Sequence, residues 1–141
     1  MIGKTAKTLQ IPGAEPGVEV VYQLIPHKQV RAFELRALRI QSDEAVRILK
    51  LRKEVDLPDT YETPESTAEV EAFAWDLISA TVVGLRGVEG ASESDPEQAH
   101  DSIGRLPMSV RIILAYQLLA GQHLKGPFRA ATPGAGVPAP Q

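Results

Sequence analysis

The chain has 141 residues, enough for one ordinary domain; hydrophobic residues make up 43% and charged residues 23%. That balance excludes a wholly disordered chain, and the lack of any apolar run near 18 residues excludes a membrane span. With no cysteine, disulfide frameworks, thiolate metal sites and cysteine nucleophiles are excluded too. The net charge of −3 hides a strong segregation. Residues 28–53 carry eight Lys/Arg against three acids, a net of +5; residues 54–101 carry thirteen acids against Arg86 alone, a net of −12. Such blocks can fold back on one another or pair head-to-tail between copies. The basic block lacks interleaved stacking aromatics, which argues against nucleic-acid binding.

In chain order, Lys7, Leu9 and Ile11 alternate with polar residues as a short strand does, and Pro12 to Gly17 ends it. Val18 to Ile25 is rich in β-branched residues and predicts a second strand. Residues 29–40 are ambiguous. Val30, Phe33 and Ala37 suit a helix, whereas Phe33, Leu35 and Ala37 suit one strand face. Ser42, followed by Asp43 and Glu44, is the better helix start, so residues 18–40 are read as a β-hairpin.

From Asp43 a helix is expected to about Val55, ended by Leu57-Pro58. A second follows from Thr63 as cap and Pro64 at the first position to about Val83, with Ser66 and Glu69 as a competing capping box. Its apolar residues form two stripes: Val70, Phe73, Leu77 and Ala80, then Trp75, Ile78 and Val82. Gly84, Gly87 and Gly90 break the pattern, and Ala91 to Asp101 is read as an acidic loop. The last helix, about Met108 to Leu124, again shows two stripes, with Ile113 and Leu114 in one and Ile112 and Tyr116 in the other. The expected fold is therefore α+β. A small N-terminal β-hairpin precedes a bundle of about three helices in a single domain, residues 1–125, and residues 126–141 form a disordered tail rich in Pro, Gly and Ala.

Little in the sequence points to chemistry. His27, His100 and His123 share no metal-type spacing, no Gly-x-Ser-x-Gly occurs, and the glycines at 84, 87 and 90 match neither a Walker loop nor a dinucleotide fingerprint. The acids at 89, 93, 95, 97 and 101 do not fit an EF-hand. These readings argue for a protein without catalytic residues, metal or cofactor. The surplus is apolar surface: two helices of a small domain each carry two stripes, which self-association or a partner groove would cover. Partner contact is expected on Phe73, Leu77, Ile113 and Leu114. Self-association is expected between Arg31, Arg36, Arg39, Arg47 and Lys50 and acids such as Glu65 and Glu69, giving a homo-oligomer.

The order of pieces also resembles a known family. A hairpin carrying Phe33-Glu34-Leu35-Arg36, an acidic helix running into Val82-Val83-Gly84-Leu85-Arg86-Gly87-Val88-Glu89-Gly90, and a last helix entered by Leu106-Pro107 resemble the tail assembly chaperones of long-tailed bacteriophages. The resemblance spans most of residues 4–125. It implies a protein of the host cytoplasm that is absent from the virion. Such a protein would coat the tape measure protein, recruit tail tube subunits and leave as the tube polymerises. The rival expectation is a virion structural subunit, such as a head–tail connector or tail completion protein.

Overall fold

A computed structural model describes residues 6–123. The first two elements are the strands β1 (Ala6–Gln10) and β2 (Glu19–Gln23), paired antiparallel from Ala6 opposite Gln23 to Gln10 opposite Glu19. The connecting turn is held by its own backbone and by one side chain. Ile11 N–H donates to Val18 O at 3.0 Å, and the Gln10 amide donates to Glu15 O at 2.9 Å while accepting from Gly17 N–H. The hairpin thus spans residues 6–23. That corrects the expectation of a hairpin over 18–40.

Residues 29–40 are helical. They belong to α1 (His27–Arg52), a single helix of 26 residues that begins directly after Pro26. The physical reason lies in what the stretch lacks. No Gly or Pro interrupts residues 27–52, and alanine, leucine, arginine, glutamine and glutamate, all good helix formers, dominate it. Ser42-Asp43-Glu44 consequently sits in mid-helix and caps nothing. Val30, Ala37 and Ile40 are its buried residues, a helical spacing, and Lys50 and Arg52 occupy the last turn beside the negative end of the dipole.

After a loop comes α2 (Pro64–Thr81), close to its expected bounds. The Thr63 hydroxyl accepts from Ser66 N–H at 3.1 Å, so Thr63 is the cap, with Pro64 in the first turn. The chain then passes without a loop into β3 (Val82–Arg86), which pairs antiparallel with β2 through a bulge between Val21 and Tyr22. Sheet order is β1-β2-β3. The supposed break at residue 84 is therefore a strand. Gly84 has a packing reason, since a Cβ there would collide with the backbone of Glu93 as that segment runs past β3. The second half of the supposed acidic loop is the start of α3 (Pro96–Gly104), capped by the Asp95 carboxylate on Gln98 N–H at 3.1 Å. The final helix is α4 (Met108–Gly121). The architecture is α+β, a three-stranded antiparallel sheet with four helices; the expected tail, residues 126–141, lies outside the described residues.

The core is one cluster. Val20 and Tyr22 from β2, Phe73, Leu77 and Ile78 from α2, Ile103 from α3, and Leu114 and Leu118 from α4 are all almost fully buried. α4 closes tightly on the sheet: a side chain at Gly121 would strike the Tyr22 ring, and the Gln122 side chain accepts from Ile25 N–H at 2.9 Å and donates to Gln23 O at 3.1 Å. Burial pushes the Tyr22 phenol up from its ordinary pKa.

Candidate interaction surfaces

The opposite charge blocks meet inside the chain. α1 and α2 run against each other, and Arg36 reaches Asp76 at 2.8 Å while Arg47 reaches Glu69 at 3.3 Å and Glu44 at 3.5 Å. Arg52 lies 3.5 Å from Asp59, and Arg111 of α4 lies 3.2 Å from Glu71 of α2. Glu44 is the centre of this seam. Its two carboxylate oxygens accept from Thr63 N–H at 2.8 Å and from the Thr63 hydroxyl at 2.6 Å, so α1 holds the residue that caps α2. Burial pushes the Glu44 carboxyl up, but the Thr63 bonds and the Arg47 guanidinium outweigh it and hold the group below its ordinary value. Conversely, Glu69 and Glu44 raise Arg47 above the usual guanidinium range against the cost of desolvation.

Of the residues expected in self-association, Arg36, Arg47 and Glu69 are thus engaged within the chain. Arg31, Arg39, Lys50 and Glu65 form no ion pair among the described residues, although Glu65 adds to the field on Arg47.

The residues expected at a client surface divide in the same way. Phe73, Leu77 and Leu114 are fully buried. Phe73 sits between Phe33, at 6.0 Å between ring centroids in an edge arrangement, and Tyr116 at 5.6 Å, with the Arg36 guanidinium 5.7 Å from its ring. α2 and α4 pack on each other and share one buried cluster with Val20 and Tyr22 of β2, which absorbs most of both stripes but leaves Tyr116 37% exposed. Ile113 alone among the four remains at the surface, 48% exposed.

The larger apolar surface is elsewhere. On α1, Leu35, Leu38, Val46 and Leu49 are 57%, 60%, 49% and 64% exposed. Leu35 and Leu38 also border a shallow groove against Leu119 of α4, whose mouth is lined by Arg31 and Glu34. Sequence reasoning missed this face because it cut α1 in two. Once residues 27–52 are one helix, the spacing of positions 35, 38, 45, 46 and 49 is the signal of a second stripe.

The histidines stand apart from one another. His100 Nε2 lies 2.9 Å from Val82 O with its ring edge-on to Trp75, and His123 Nε2 lies 2.6 Å from Glu34. Among the described residues no group of three or more His, Asp or Glu is arranged to hold a metal ion. No described helix is long and apolar enough to cross a membrane. Compared with protein-family models, curated proteins and solved structures, the chain matches none.

Proposed function

We propose that this chain is a non-catalytic assembly protein of the kind its layout resembles, a phage tail assembly chaperone. In this reading it binds the tape measure protein, brings tail tube subunits to it in the host cytoplasm, and is released as the tube polymerises. The observation that carries the reading is the outward face of α1, where four large apolar side chains are each 49% or more exposed. Contiguous apolar exposure of that kind is costly for a lone domain and is a common mark of a binding face. A long helical client is the shape that such a face accommodates, by laying helix against helix.

Co-expression tests the proposal. Produced together with a long helical tape measure protein from the same genome, the chain should co-purify with that protein, and it should be missing from purified particles. Its recovery as a stoichiometric particle component would overturn the chaperone reading in favour of a virion subunit. Failure to co-purify would overturn client binding.

A further inference from the structure

α1 is amphipathic twice over. At about 100° per residue, its buried side centres on Val30, Ala37, Ile40 and Glu44, and Leu35, Leu38, Ala45, Val46 and Leu49 lie on the opposite side. From Leu35 to Leu49 that outer stripe runs about 21 Å. The cations of α1 sort with the same geometry. Arg36 and Arg47, toward the inner side, each have an acid within 4 Å, and on the far border of the outer stripe Arg52 is paired with Asp59 and Glu34 with His123. Arg39 and Lys50, along one border of the outer stripe, and Arg31 and Lys53, at its two ends, have none among the described residues. Asp43 is the single acid on that border.

This combination chooses among occupants. A second copy laid α1 against α1 antiparallel sets like border against like border, so the two cations Arg39 and Lys50 would meet a border that offers a single acid, Asp43. A second copy offering its acidic surfaces, residues 62–71 and 89–97, brings few large exposed apolar side chains to meet the leucines; Tyr61 and Val88 are the ones nearby. An anionic bilayer is served by faces bearing aromatic anchors, and the outer stripe of α1 has none. What remains is a helix from another protein, apolar along one stripe and acidic at its border.

We propose that the outer face of α1 is a docking site for an acidic-bordered amphipathic helix of a partner protein. Leu35, Leu38, Val46 and Leu49 supply the apolar contact, and Arg39 and Lys50 read the border. The inference deepens the chaperone reading and rests on it only in taking the chain to be a binder.

The probe is a pair of synthetic amphipathic helices of about six turns, identical in their leucines, one bordered by Glu and the other by Lys. Fluorescence anisotropy with the full chain should show the Glu-bordered helix binding about tenfold more tightly or better, with the difference shrinking at high salt. Leu38→Asp with Leu49→Asp should abolish binding at an unchanged circular dichroism spectrum. Arg39→Glu with Lys50→Glu should reverse the preference. Equal affinity for the two helices, or binding of neither, would overturn the proposal. So would a doubling of mass by light scattering that the leucine substitutions remove, which would assign the face to a second copy. Binding to phosphatidylglycerol vesicles lost in the same variant, with no helix binding, would assign it to a membrane and overturn the proposal equally. A chain that ignores both helices but co-purifies with the tape measure protein removes this face and leaves the function; the converse removes the function and leaves the face.

Discussion

α2 and α1 are neighbouring helices with comparable numbers of apolar residues and opposite fates. α2 lies between α1 and α4 and shares its buried cluster with β2, so Phe73, Ala74, Leu77 and Ile78 are all buried. α1 rests on α2 with one side, touches α4 briefly, and leaves Leu35, Leu38, Val46 and Leu49 in water. Apolar periodicity therefore reports that a helix has a face to hide, and the number of elements around it decides whether the fold hides it. Substitution separates the two cases. Phe73→Ala should cost about 3–5 kcal/mol in urea unfolding, because it empties the space between Phe33, Tyr116 and Arg36. Leu38→Ala should stay within about 0.5 kcal/mol. Equal costs would mean that the outer face of α1 is covered in solution and the contrast is false.

The contrast extends to polar groups. On the inner side of α1 each partner depends on another, and Thr63 is where the dependence converges. Its hydroxyl caps Ser66 N–H and donates to Glu44, and the residue is only 3% exposed. Thr63→Val keeps the shape while leaving a buried amide and a carboxylate oxygen short of a partner, at a cost of about 1–2 kcal/mol. Arg39→Ala, on the outer side, should change folding stability by much less. Comparing urea midpoints of the two variants measures the difference. If Thr63→Val were as mild as Arg39→Ala, the seam between α1 and α2 would not be the coupled unit its geometry describes.

The same seam shows what the sequence made legible. Thr63 and Pro64 named the start of α2 because capping is local: the donor, the acceptor and the fixed φ lie within four residues. The α+β class was legible for a similar reason, since Val18 to Ile25 and residues 64–83 carry strong, separate periods. Residues 29–40 misled because Phe33, Leu35 and Ala37 alternate as well as Val30, Phe33 and Ala37 step, and Ser42-Asp43-Glu44 imitated a helix start. The decision is tertiary: Glu44 is there to hold Thr63, nineteen residues on. β3 was hidden because Val82 to Arg86 is short, contains Gly84 and follows a helix directly, so only pairing with β2 makes it a strand. The client surface was placed on Phe73, Leu77, Ile113 and Leu114 by counting stripes, which does not reveal that the stripes of α2 and α4 cover each other. The charge blocks were legible as blocks. Their pairing within the chain was one of the alternatives that composition offered, and the expectation of self-association took the other for Arg36, Arg47 and Glu69.

The smallest effect is the most specific test of the seam. Glu44 is held below its ordinary pKa of 4.5 when folded, despite burial, by the two Thr63 bonds and Arg47. A carboxyl whose folded pKa is depressed binds fewer protons than in the unfolded chain. Its stabilisation is complete above the unfolded value and is lost as pH falls through the folded one. Glu44→Gln keeps one acceptor oxygen but loses the charge, so the variant should be less stable than the parent near pH 7. That gap should narrow steadily below about pH 4.5, because the parent then surrenders what the variant never had. On the outer face, Lys50→Gln should change the urea midpoint by less than Glu44→Gln does near pH 7. Urea midpoints from about pH 7 to about pH 3 read both. A Glu44→Gln gap independent of pH would show that Glu44 acts through its shape alone, and that the inner side of α1 differs from the outer in packing but not in charge.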